Sequence, residues 1–365
     1  MIGGLAACWA GIALAGPAPT EVLAALAGDV DVGVRRRAVA ALVRASTEPA
    51  GGEWGARARF DPSEYVQRSM ISALTTRLSE PETVALLTEM TGAADVDPWT
   101  RGAAGMALVS VPGMRERLAM AAAAISDDGQ AGGLLIAAAR AGDEPSRQRL
   151  APWVAGGNLP LERPLLAQMA GLDLPFTDGI ARAEPEVRVV LAAALLVTDP
   201  HARAPMLAAL RDPASRLDAV EILESTPGRA AGALLARSRS PFARLARVAR
   251  GDLSIAPALA MLGGRDSERA RAAAAALAHR PEPAARAALR LHLRSEEDPL
   301  RESCAAALSV APNALDCDAL RPLLTDEDAY LRLAAAEATV QCDAAGFPPG
   351  PPPPPARSEN DVGTR

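Results

Sequence analysis

The chain has 365 residues and a net charge of −6, and although 49% of it is apolar, Phe, Tyr and Trp make up only 3%. That length ordinarily suggests two or three compact domains, but with so few aromatics Ala, Leu and Val must fill the interior, which favours closely packed helices. β-Sandwiches and barrels are disfavoured, because no convincing run alternates β-branched and aromatic residues between turns. A pI of about 5.3 argues against a basic nucleic-acid face, and the absence of Lys excludes a lysine Schiff base or a P-loop lysine.

The chain opens with an apolar, uncharged stretch from Met1 to Ala15, ending Ala13-Leu14-Ala15 before the breaker Gly16-Pro17-Ala18-Pro19. Two readings stay open. Residues 1–19 form an export signal, lacking the usual basic leader, in which Leu5-Ala6-Ala7-Cys8 resembles a lipobox and makes Cys8 a candidate lipid anchor. Otherwise the stretch is the outer helix of an additional unit in a cytoplasmic protein. Export, to the periplasm or as a lipoprotein, is the preferred reading. The run is too short for a typical spanning helix, so no transmembrane span is expected.

From residue 20 onward one pattern recurs. Val34, Ala38, Ala41 and Leu42 follow Asp31, with spacing that places them on one face of a helix. The same register returns at Val66, Met70, Ala73 and Leu74 after Asp61-Pro62, and at Thr100, Ala104, Ala107 and Leu108 after Asp97-Pro98. It continues at Val187 after Glu184-Pro185, Ser215 after Asp212-Pro213, Leu300 after Asp298-Pro299, and Leu331 after Asp326 and Asp328. An Arg follows the first apolar position at Arg35, Arg101, Arg188, Arg216, Arg244, Arg271, Arg301 and Arg332, and stretches from Gln130 and Leu161 fit as degenerate copies. Shorter apolar segments precede the acidic turns, as at Glu21 to Leu26, Ala204 to Leu210, Ala256 to Leu262 and Ala319 to Leu324. Each unit therefore reads as two helices, about ten units in all, with the turn acid capping the second helix.

This unit resembles the HEAT repeat, especially the short variety of phycobilisome lyases, over residues 20–342. The resemblance implies a right-handed α-solenoid with first helices on the convex side and second helices on the concave side. It also implies ladders between neighbouring repeats, carried here by Asp31 with Arg35, Asp97 with Arg101, Asp212 with Arg216, Asp298 with Arg301, and Asp328 with Arg332. Gln67 breaks the pattern in the second copy. Stacked units of this kind share a continuous core and offer an extended concave surface.

Catalytic signals are sparse. His201, His279 and His292 are scattered without ligand spacing, and no phosphate loop, nucleophile elbow or His-Glu-x-x-His motif occurs. Acidic clusters at Glu296-Glu297-Asp298 and Asp326-Glu327-Asp328 read as helix caps rather than metal sites. Trp54, Trp99 and Trp153 read as void fillers between units. Cys304 sits at a core position, whereas Cys317 opens one helix of the last unit and Cys342 closes the other, so the two can bond and clamp an exposed terminal repeat. The Gly-rich segment from Ala50 to Gly55 reads as an extended loop, and Gly156-Gly157-Asn158 marks a weak point. Residues 343–365, with five consecutive prolines, read as a disordered or polyproline tail.

Three functional readings follow. The preferred one is a monomeric, non-catalytic scaffold or adaptor that holds a partner protein on the concave surface, with no cofactor, metal or nucleic acid. The second is a cofactor-handling protein similar to the phycobilin lyases. The third is a nucleic-acid enzyme built on HEAT-like repeats, which the acidic balance disfavours.

Overall fold

The computed structural model describes residues 17–157, 168–199 and 203–347, and among them it is all helical, with no strand. The helices run in antiparallel pairs: α1 (Pro19–Leu26) and α2 (Val32–Ala45), α3 (Gly52–Arg59) and α4 (Glu64–Leu74), α5 (Pro81–Gly92) and α6 (Pro98–Leu108), α7 (Met114–Ala123) and α8 (Asp128–Arg140). After α9 (Glu144–Gly156) come α10 (Phe176–Arg182) and α11 (Pro185–Thr198), α12 (Arg203–Arg211) and α13 (Arg216–Ser225), α14 (Arg229–Leu235) and α15 (Pro241–Ala249). The chain continues through α16 (Ala256–Leu262) and α17 (Ser267–Leu277), α18 (Pro283–His292) and α19 (Asp298–Ser309), and α20 (Ala314–Leu320) and α21 (Ala329–Ala344). The apolar segment read at Ala319 to Leu324 straddles the end of α20 and a 3-10 turn at Arg321–Thr325, where Pro322 interrupts the helix. The final helix runs two residues past the expected start of the tail. The stretches assigned to an export signal, to the copy near Leu161 and to the proline run lie wholly or mostly outside the described residues.

The turn acids act as the caps the pattern calls for. Asp31 accepts from the N–H groups of Gly33 and Val34, Asp97 from Trp99 and Thr100, and Asp328 from Tyr330 and Leu331. Each supplies an acceptor to donors that have no partner within the helix, and substituting Ala at such a cap costs about 1 kcal/mol. Asp212 differs: Ser215 holds the cap position, and Asp212 binds the Ala214 N–H and the Ser215 hydroxyl.

The segment read as a loop at Ala50 to Gly55 is instead a 3-10 turn, Pro49–Gly51, running into α3. Left-handed backbone at Ala50 and Gly51 reverses the chain, and the buried Ala58 and half-buried Trp54 pack the short helix onto the core, overriding its glycines. A different glycine fixes how closely α9 and α10 cross. A Cβ on Gly179 would collide with the Val154 carbonyl, so no larger residue fits there.

Second helices pack side by side along the chain, α2 on α4, α4 on α6, α6 on α8, and again from α11 through α13, α15, α17 and α19 to α21, while first helices touch their own kind less. Their buried faces are Ala and Leu at the expected positions, such as Val34, Ala38 and Leu42 in α2 and Leu300, Cys304 and Leu308 in α19.

The ends do not stay apart. α21 packs against both α1 and α2, so the first and last units share one core in which Leu23, Val34, Leu331 and Ala335 are all fully buried. Two polar contacts cross this seam: Arg37 Nη2 lies 2.6 Å from Glu337 Oε2, and the Tyr330 hydroxyl donates to Asp31 Oδ1 at 3.1 Å. Gly33 permits the second, because a Cβ there would lie 2.7 Å from the Tyr330 oxygen. The expected exposed terminal repeat is therefore corrected. The apolar edges of the two end units bury each other instead of facing water, where each Leu or Val left exposed would forfeit about 1.5–3 kcal/mol. The stack closes into a circuit.

Candidate functional site

A groove of about 860 Å³ lies on this seam and is walled by four second helices, α2, α4, α19 and α21. Helical spacing puts its residues in rows. In α2, Arg36, Ala40 and Arg44 recur every four positions, next to the core-facing row of Val34, Ala38 and Leu42. Ser69 and Ser72 come from α4, Ala306, Ser309 and Val310 from α19 and the residue after it, and Glu337, Val340, Gln341 and Ala344 from α21. The floor is small and apolar, and the rim is polar.

The charges on the rim are unequal. Arg37 is neutralised by Glu337 across the seam. Arg36 and Arg44 are exposed, and neither has an ion-pair or hydrogen-bond partner among the described residues. The Ser69 and Ser72 hydroxyls are likewise uncommitted there, whereas Gln341 donates to the Ser309 carbonyl and Ser309 to Ala306. Two guanidinium groups with no counter-charge, beside hydroxyls, can each pair with a carboxylate or phosphate.

The residues assigned to a ladder are distributed over two roles. Arg35 Nε reaches Asp61 Oδ2 at 3.1 Å and Arg301 Nη2 reaches Asp326 Oδ2 at 3.0 Å, so each Arg binds the turn acid of the following unit. Arg101 finds Gln130 of the next unit at 3.4 Å. Arg216 and Arg332 instead donate to carbonyls of their own turns, at Arg211 and Asp326. Asp31, Asp97 and Asp328 are caps, and Asp298 lies 2.9 Å from Arg301 within its own helix.

A second set of arginines was not foreseen. Arg77, Arg250 and Arg280 each follow a second helix and donate to carbonyls at the end of the preceding one: Arg77 to Val43, Arg250 to Leu223 and Thr226, Arg280 to Val248. A cation there binds orphan carbonyls and favours the negative helix end. The signal was a basic residue just past the helix, recurring from Arg250 to Arg280. Also unforeseen is the fully buried Asp316, which accepts from Arg286 Nε at 2.9 Å and Arg290 Nη1 at 2.5 Å.

Cys317 and Cys342 are bonded, with Cα atoms 6.2 Å apart. Cys304 is buried, and burial pushes its thiol pKa up to about 12, so it is no nucleophile. His279 is exposed in the turn after α17, His292 is half-buried at the end of α18, and His201 lies outside the described residues. The three expected Trp residues are half-buried against the core, with Arg57 stacked 4.8 Å over Trp54. Among the described residues no three His, Cys, Asp or Glu side chains converge to hold a metal ion, and no helix is long and apolar enough to cross a membrane.

No family model and no curated protein matches the chain. Among solved structures it is similar to human deoxyhypusine hydroxylase, at 17% identity over 89% of this chain and 96% of that one, with a TM-score of 0.31. An engineered protein matches at 20% identity over 89% of this chain and 99% of that one, with a TM-score of 0.24. The expectation that the chain is not an enzyme is corrected here. One of these similar chains is by name an enzyme, and fold alone does not decide whether a chain is catalytic.

Proposed function

We propose that the chain is a binding protein of the HEAT-like type, a right-handed stack of about ten units whose inner row of second helices holds a segment of a partner protein. The observation that carries this reading is the seam groove, in which Arg36 and Arg44 stand without counter-charge above an apolar floor. The recurrent Asp and Arg contacts between units support the family reading, and the Cys317–Cys342 bond supports an oxidising compartment outside the cytoplasm. The test is affinity capture from the native source with the full chain and with Ser72→Trp, an exposed position where the larger ring fills the groove. A protein retained by the wild type and lost with Ser72→Trp is the expected result. Capture unchanged by Ser72→Trp, or no retained protein, refutes it.

A further inference from the structure

We infer that the seam groove selects an extended peptide segment carrying two carboxylates four residues apart with an apolar residue midway, a specificity that rests on the protein-binding reading above. The spacing of the two free cations sets this pattern. Arg36 and Arg44 are eight residues apart on α2, which at the helical rise separates them by about 12 Å along the axis. An extended chain rises about 3.3 Å per residue and points alternate side chains the same way, so its residues i and i+4 face one wall at about 13 Å. Each carboxylate then meets one guanidinium, which offers paired N–H donors.

The side chain between them, at i+2, comes over Ala40, with Val340 of α21 beside it. That floor has no polar atom to satisfy, so a medium-sized aliphatic residue fits and a charged one is penalised. The Ser69 and Ser72 hydroxyls come from α4, which packs beside α2, where they can bond the backbone groups that an extended chain leaves open. Arg37 takes no part, because Glu337 already neutralises it. Two free arginines on a chain of net charge −6 fall short of the basic stripe that nucleic acid requires.

Isothermal titration of the full chain with acetyl-Glu-Thr-Val-Thr-Glu-amide tests the inference. Saturable one-to-one binding is expected, weakened at least about tenfold by the pair Arg36→Gln and Arg44→Gln, with no binding of the Lys-Thr-Val-Thr-Lys counterpart. Both arginines are exposed, so the fold should persist, and circular dichroism checks this. Ser72→Glu, which places a negative charge in the groove, should abolish binding independently. Failure of the Glu peptide to saturate, equal affinity for the double variant, or tighter and arginine-dependent binding of a single-stranded oligonucleotide overturns the inference. The two readings fail separately. A captured partner that depends on Ser72 but not on Arg36 and Arg44 leaves the protein-binding reading and removes this one, whereas arginine-dependent peptide binding with no Ser72-dependent partner shows the groove's preference in vitro and removes the reading that it serves a native partner protein.

Discussion

Replacing Asp316 by Asn should be among the most damaging isosteric changes in the protein. Asp316 is fully buried and binds two cations, Arg286 at 2.9 and 2.7 Å and Arg290 at 2.5 Å, while also accepting the Asn313 N–H at 3.0 Å. Arg286 is itself buried and donates further to the Leu308 and Ala311 carbonyls, at 2.9 and 3.0 Å, so it cannot swing into water. The amide keeps the shape but removes the charge, leaving a buried cation uncompensated. Breaking one partner of a buried pair costs about 3–5 kcal/mol, and Arg290, partly exposed, can relax and hold the figure near the lower end. With a urea slope of about 3 kcal/mol/M, the unfolding midpoint followed by circular dichroism should fall by about 1 M. The paired change Asp316→Leu with Arg286→Met, which removes both charges, should recover most of that loss. A single variant within about 1 kcal/mol of wild type, or a pair no better than the single, would refute the reasoning.

Four further outcomes follow from the geometry. Reducing the Cys317–Cys342 bond, or replacing both residues by Ser, should lower stability by about 3 kcal/mol for a loop of 25 residues, read from thermal unfolding with and without reductant. Glu337→Arg sets a second cation against Arg37, and small-angle scattering should show a larger radius of gyration as the seam opens. The Val34 N–H first, and then the Tyr330 hydroxyl, hold the Asp31 carboxyl below its ordinary 3.8. Its contribution is therefore complete above that value and lost as pH falls through the lower folded value, so limited proteolysis at the seam should accelerate only below pH 3.8, and at a higher pH in Tyr330→Phe than in wild type. Cys304, with its thiol raised to about 12, should stay unalkylated by iodoacetamide at pH 8 until the chain is denatured, as peptide mass mapping can show.

The helix faces were legible because their cause is local. The spacing of Val34, Ala38 and Leu42 sets which side of α2 is buried whatever lies opposite, and a carboxylate at Asp31, Asp97 or Asp328 has its donors two and three residues away. Contacts one unit distant were half legible. The sequence marks Arg35 as a recurring cation, but whether it reaches Asp61 or its own turn, as Arg332 does, depends on how neighbouring pairs rotate. Closure was not legible as read, since Arg37 and Glu337 are separated by 300 positions. One clue was present: the ends are no more polar than the middle, as Leu23, Leu331 and Leu333 show, whereas free terminal repeats need a polar outer face. The groove was hidden for the same reason, because Arg36 and Arg44 gain meaning only once α21 arrives beside α2. At Ala50 to Gly55, glycine content argued against a helix that Trp54 and Ala58 nonetheless secure by packing.

A stack with free ends can gain or lose a module by duplication or deletion, because each module answers only to the one before and the one after. When Tyr330 must meet Asp31, that freedom disappears. An added or missing pair of helices would change the arc through which the chain turns and leave the Leu23 and Leu331 faces without each other. Copy number here is set by a geometric sum rule, and homologous chains with the same contact between beginning and end should hold it constant even where their individual modules have diverged beyond recognition.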